Sequence, residues 1–197
     1  MADITVGDIK KITKGKLLCG NEYDICENFC IDSREIKSGD VFVGIKGERV
    51  NGNELYEEVL KKGAKCLILE NVEIPEDIIK KYTDSAIIIV EDTIKALQQF
   101  AEYKRNLYKI PVIAITGSVG KTSTKDIVAE VVSKKYKVLK TQGNLNNHIG
   151  LPLTILSLKD EETMVVELGM SHLGEISTLT KIAKPTISVI TNIGTSH

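Results

Sequence analysis

The sequence predicts an α/β protein in two parts, a small mixed α/β domain over residues 1–84 and a doubly wound parallel-sheet domain over residues 85–197. Three observations predict it. In the first part, short apolar runs such as Val41-Phe42-Val43 and Cys66-Leu67-Ile68-Leu69 alternate with turn residues and with helical spacing. In the second, the runs at 112–115, 163–168 and 187–193 are apolar on both faces, as central strands of a parallel sheet must be. The first of these leads directly into a turn bounded by Gly117 and Gly120, followed by a helical segment.

In chain order, Thr5 is placed to cap a short helix through Ile12. Residues 29–32 and 41–45 read as strands. Residues 53–62 carry helical spacing at Leu55, Val59 and Leu60 and stop at Gly63, which readily takes the left-handed conformation of a helix end. Residues 65–70 return to strand, completing a unit of roughly 80 residues, near the lower edge of independent stability. A strand at 86–90 and a helix from Asp92-Thr93 to about Tyr108 lead into the second domain. There, helices at 121–135 and 174–183 separate the three apolar runs. Only Gly194-Thr195-Ser196-His197 follow the last run, so the parallel sheet, with three or four strands, is expected to be truncated.

Composition narrows the class. Twenty-six basic against 27 acidic residues leave a net charge of -1, without the basic excess that nucleic acid or an anionic membrane selects. No apolar run approaches the ~18 residues of a membrane helix, and the start of the chain has no secretory pattern, so a cytoplasmic protein is expected. Cys19, Cys26, Cys30 and Cys66 find no second Cys or His pair at zinc spacing; they read as reduced structural thiols, with a metal or disulfide role as the alternative.

The chemistry concentrates in Gly117-Ser118-Val119-Gly120-Lys121-Thr122-Ser123. Between a buried strand and a helix, such a loop turns backbone N–H groups and the positive helix end toward phosphate oxygens. Lys121 supplies a charge to the outer phosphates, and the Thr122 hydroxyl is a ligand for Mg²⁺. The generic P-loop has a glycine where this chain has Ile115. Glu167 ends the run Met164-Val165-Val166, at the strand ends where open parallel sheets bind ligands, and is placed to share that magnesium. His197 falls a few residues beyond the last apolar run; His148 and His172 lie in polar loops. Asn144, Asn146 and Asn147 suit either a polar substrate or the turn itself.

Together these residues resemble the Mur ligase family, the ATP-dependent ligases that build the peptidoglycan stem peptide. The loop 116–122 is similar to that family's variant of the P-loop, which accounts for Ile115. Thr141-x-Gly143-Asn144-x-Asn146-Asn147-x-x-Gly150-x-Pro152 resembles its substrate loop, and Glu167-Leu168-Gly169-Met170-Ser171-His172 its metal strand. Asp32-Ser33-Arg34, Gly39-Asp40-Val41-Phe42-Val43 and Lys46-Gly47-Glu48-Arg49 resemble its uridine-diphosphate-binding domain. The resemblance implies ATP and Mg²⁺, with Lys121 as the catalytic cation and 117–123 around the phosphates. Thr122 and Glu167 would hold a first magnesium and His197 a second. Ser33 and Arg34 would bind uridine diphosphate, and Asn144, Asn146 and Asn147 would face the muramoyl peptide. The implied substrates are UDP-N-acetylmuramoyl-tripeptide and D-alanyl-D-alanine, joined through an acyl phosphate, with addition of the third stem residue as the nearest rival and a P-loop kinase or nucleotide-binding module as the rival from another class. Asn53 departs from the family, which has histidine there, and the family's C-terminal domain is expected to be missing from this chain.

Overall fold

The structure is a computed structural model that describes residues 4–194. It divides into two compact units, one ending at Phe100 and the other beginning at Ala101.

The first unit opens with β1 (Ile4–Thr5) and α1 (Val6–Thr13). Thr5 caps α1 reciprocally: the Asp8 N–H donates to Thr5 Oγ1 at 3.2 Å and the Thr5 N–H donates to Asp8 Oδ2 at 3.0 Å. There follow β2 (Lys16–Cys19), β3 (Ile25–Cys26), β4 (Phe29–Cys30) and β5 (Val41–Val43). A 3₁₀ turn over Gly52–Leu55 runs into α2 (Tyr56–Lys61), then β6 (Cys66–Leu69), α3 (Glu76–Lys81), β7 (Ala86–Ile89) and α4 (Thr93–Leu107). The sheet order is β2-β7-β6-β5-β4, parallel throughout except for antiparallel β2, and β1 pairs separately with β3. Phe42, Val59, Leu60, Leu67 and Ile87 pack in its core.

This topology corrects the boundary at 84/85. The run 86–89 is buried, so its backbone groups need strand partners on both sides. It finds them in β6 and β2, with Ala86 paired to Cys66. The strand therefore belongs to the first sheet, and the division falls inside α4.

The second unit contains β8 (Val112–Thr116), α5 (Lys121–Ser133), β9 (Val138–Lys140), α6 (Gly150–Leu156), β10 (Thr163–Glu167), α7 (Glu175–Ala183) and β11 (Ile187–Ile190). Its sheet is all parallel in the order β11-β8-β10-β9, which makes it the four-stranded doubly wound arrangement expected. The end of α4 is tied in by buried Arg105, whose Nε donates to the Ala183 carbonyl at 2.8 Å and Nη2 to that of Ile110 at 3.0 Å. The last strand stops at Ile190 rather than 193 and is largely exposed, because it pairs on one side only, with β8. β9 and α6 fall between the expected helix at 121–135 and strand at 163–168. Among the described residues, no helix is long and apolar enough to cross a membrane.

Candidate functional site

β8 delivers the chain to Gly117 at the carboxyl end of the sheet. There φ is +136°, and a β-carbon would lie 2.2 Å from Thr191 Oγ1, so only glycine fits. Gly120, at φ +85°, turns the chain into α5. The segment after β11 braces the loop between them. The Ser118 N–H donates to the Asn192 carbonyl at 3.2 Å, the Val119 N–H to Asn192 Oδ1 at 2.9 Å, and Thr191 Oγ1 to the Val119 carbonyl at 2.6 Å. Two loop N–H groups are thus engaged by Asn192. Those of Lys121, Thr122 and Ser123 open the helix, where no carbonyl lies one turn back to receive them. Lys121 curls over the loop, its Nζ donating to the Gly117 carbonyl at 2.7 Å and the Ser118 carbonyl at 3.3 Å. A cavity of about 320 Å³ lies against Gly117, Ser118, Lys121 and Asn192.

Beside β8, the register of β10 sets Glu167 against Ile115, one strand across from the loop. Glu167 is 2% exposed, and each carboxylate oxygen has one donor: Thr122 Oγ1 to Oε2 at 2.9 Å and Asn146 Nδ2 to Oε1 at 2.8 Å. Its own N–H donates to Thr141 Oγ1 at 3.0 Å. Among the described residues, no cationic side chain forms an ion pair with it. A buried carboxylate carries a large desolvation cost unless a positive charge joins it. With a hydroxyl oxygen beside it, the pair suits a hard divalent cation that draws its other ligands from phosphate and water. The described residues contain no cluster of three or more His, Cys, Asp or Glu that would hold a metal unaided. His197 lies outside the described residues.

The asparagines serve different ends. Asn146 holds Glu167, and its carbonyl accepts the Gly169 N–H at 2.9 Å. Asn147 Oδ1 accepts the N–H groups of Ile149 and Gly150 at 3.0 and 2.8 Å, capping α6, so its oxygen is committed to the fold. Asn144 is exposed. With Lys121, Asn146, His148 and His172 it lines a cleft of about 490 Å³. Glu175 closes one side, its carboxylate accepting the N–H groups of Ser171 and His172 at 2.6 and 3.0 Å; these bonds hold its carboxyl below the usual range.

Ser33 and Arg34 lie in the first unit, on a separate cleft of about 480 Å³ with apolar walls at Ile45, Val50 and Leu55. Ser33 is buried, and its carbonyl accepts Lys62 Nζ at 2.7 Å. Arg34 is exposed, with its guanidinium forked on Asp32, Nε to Oδ1 at 2.9 Å and Nη2 to Oδ2 at 2.5 Å; those bonds hold the Asp32 carboxyl down at about 2. Asn53, by contrast, is buried and structural: its Oδ1 accepts the Glu70 N–H at 2.9 Å and its Nδ2 donates to Asn51 at 3.0 Å.

Lys125 and Asn192 join the site although sequence reasoning did not single them out for it, and Thr141, read in the sequence only as the start of the asparagine-loop motif, joins it through the Glu167 N–H. Lys125 carried the one usable signal, a charged residue one turn beyond Thr122 on the same helix.

The arrangement has known counterparts. Residues 115–197 match the Mur ligase middle domain, and residues 27–105 match the Mur ligase family catalytic domain. The UDP-N-acetylmuramoyl-tripeptide–D-alanyl-D-alanine ligase of Bacillus subtilis is 39% identical over 98% of this chain and 42% of its own length. A crystal structure of MurF from Acinetobacter baumannii superposes with a TM-score of 0.86 at 34% identity, covering 100% of this chain and 42% of that one. MurF of Thermotoga maritima, solved in complex with ADP, gives 0.77 at 38% identity over 87% of this chain and 38% of its own. The chain therefore spans from 38% to 42% of the length of these relatives. The two domain matches fall on the two sheets in chain order, and the relatives carry them at more than 30% identity: the chain belongs to the Mur ligase family.

Proposed function

We propose that this chain carries the uridine-diphosphate-binding and ATP-phosphate-binding portions of a cytoplasmic ligase that adds D-alanyl-D-alanine to UDP-N-acetylmuramoyl-tripeptide. The observation that carries the reading is the hydrogen-bonded path Thr122–Glu167–Asn146, which joins the phosphate loop to the asparagine loop through one buried carboxylate. The name of the B. subtilis relative supports the choice of substrates.

The tripeptide carboxylate is a poor electrophile, since its leaving group would be oxide. Transfer of the γ-phosphoryl group makes an acyl phosphate and ADP. The amine of D-alanyl-D-alanine then attacks the acyl carbon, phosphate departs, and the amine loses a proton to form the amide. This chain supplies position and charge. Lys121 exchanges its loop carbonyls for the outer phosphate oxygens. The N–H groups of Gly120, Lys121, Thr122 and Ser123 receive the phosphate chain, while Gly117, Ser118 and Val119 shape the loop around it. Thr122 and Glu167 would hold magnesium, whose chemistry there would be to neutralise charge on the phosphoryl oxygens; His197 is assigned to a second ion. Asn144 and Asn146 face the muramoyl peptide, with Asn147 fixing their loop. Ser33 and Arg34 bind the diphosphate of the uridine end. The amine site is assigned to the additional length of the relatives.

The full-length protein with ATP, Mg²⁺ and both substrates should form the pentapeptide and ADP in equal amounts. Ligation of a diamino acid to the UDP-muramoyl-dipeptide instead would make it a tripeptide synthetase and overturn the reading.

A further inference from the structure

We propose that Lys125 is a positioning residue for the magnesium carboxylate, acting through Thr141; the inference rests on reading Thr122 and Glu167 as magnesium ligands. Lys125 is 3% exposed, and burying an ammonium group is costly unless its hydrogen bonds are replaced. Its Nζ lies 3.2 Å from Asp126 Oδ1 and donates to the Thr141 carbonyl at 3.0 Å. The Asp126 contact does not require burial, since Lys140 reaches the same oxygen at 2.8 Å while 39% exposed. What burial gives Lys125 is the Thr141 carbonyl. Thr141 is fully buried, its N–H donates to the Val165 carbonyl at 3.2 Å, and its hydroxyl receives the N–H of Glu167.

These bonds form a closed ring. From α5, Thr122 reaches the Glu167 carboxylate; the Glu167 N–H reaches Thr141; the Thr141 carbonyl returns to Lys125, three residues along the same helix. Thr141 also begins the loop from which Asn146 reaches Glu167. Helix, strand and loop are thus locked at one corner, and among the described residues Lys125 is the charged donor in the ring. Groups that orient a metal ligand commonly matter about 10–100-fold in metal affinity.

The test uses the full-length protein and a fluorescent ADP, with magnesium varied. Lys125→Met keeps the apolar stem, removes the ammonium, and leaves Asp126 paired with Lys140. Thr141→Val keeps the shape and removes the hydroxyl that receives the Glu167 N–H. Both should raise the magnesium concentration at half-saturation by roughly tenfold, with Lys125→Arg recovering part of the loss. Amide exchange at Glu167 and over 141–147 should quicken in both. An unchanged magnesium midpoint with only a lowered melting temperature would assign Lys125 to packing and overturn the inference. If ADP binding by the unaltered protein ignores magnesium, the metal reading itself fails, and the inference falls with it.

Discussion

Lys121 makes two hydrogen bonds close to home, to the Gly117 and Ser118 carbonyls of its own loop, and those bonds are the ones phosphate oxygens would replace. Hydrogen bonds to charged groups contribute about 1.5–3 kcal/mol, so Lys121→Ala should weaken ADP binding by roughly 10–100-fold while the melting temperature stays near that of the parent. A fluorescence titration with circular dichroism as control reads both. Gly117→Ala should act differently, because the new methyl would meet Thr191 and the backbone sits at φ +136°. Strain of this kind costs about 1–3 kcal/mol, so both stability and ADP binding should fall. In the other unit, Arg34→Lys removes the planar fork that matches a diphosphate and should weaken uridine diphosphate binding, leaving ADP untouched. Its pairing with Asp32 sets the pH window. A depressed carboxyl contributes above its ordinary value near ~4 and is lost as pH falls toward about 2, so uridine diphosphate binding should not change through Asp32 between neutrality and pH 5. Glu167 was legible in the sequence because a carboxylate ending an apolar run has few other places to be. Lys125 was not, and Thr141 was legible only as the start of a motif and not as a partner of Glu167, because the partners of both are backbone atoms brought near only by the sheet.

Helix α6 shows how an element can fix the loop that precedes it. Its first turn contains Gly150 and Pro152, and the cap that starts it comes from Asn147 Oδ1, outside the helix. Asn147→Ala should therefore cost about 0.5–2 kcal/mol of stability, the usual range for a lost cap. Thermal melts measure that loss. The apparent affinity for the muramoyl peptide should fall with it, because the same loop presents Asn144 and Asn146. An N-cap pattern was easy to read at α1, where Thr5 and Asp8 stand three apart before an apolar spacing. At α6 the asparagines read equally well as substrate contacts. β9 was hidden for another reason. Its three residues follow Lys134-Lys135-Tyr136-Lys137, and so short a strand becomes visible only through its pairing with β10.

At the scale of the molecule, the corrected boundary has a direct test. A fragment ending at residue 84 lacks β7, the strand that joins β2 to β6, and should show no cooperative thermal transition. A fragment ending at residue 107 keeps the five-stranded sheet and should melt cooperatively. The two sheets were legible as classes because their apolar runs differ; which sheet owned residues 86–89 was not, because an all-apolar strand pairs equally well with either. The strand order of the second sheet also sets a clock for its birth on the ribosome. β8 is the first of its strands to be made, yet both its neighbours come much later, with Thr116 waiting for Ile190. Synthesis at ~5–20 residues per second makes that interval of 190 − 116 = 74 residues last roughly 4–15 seconds. Until the last strand is made, the edge of β8 that it pairs with has no strand partner, so this half of the protein is expected to be prone to mispairing while it is being made.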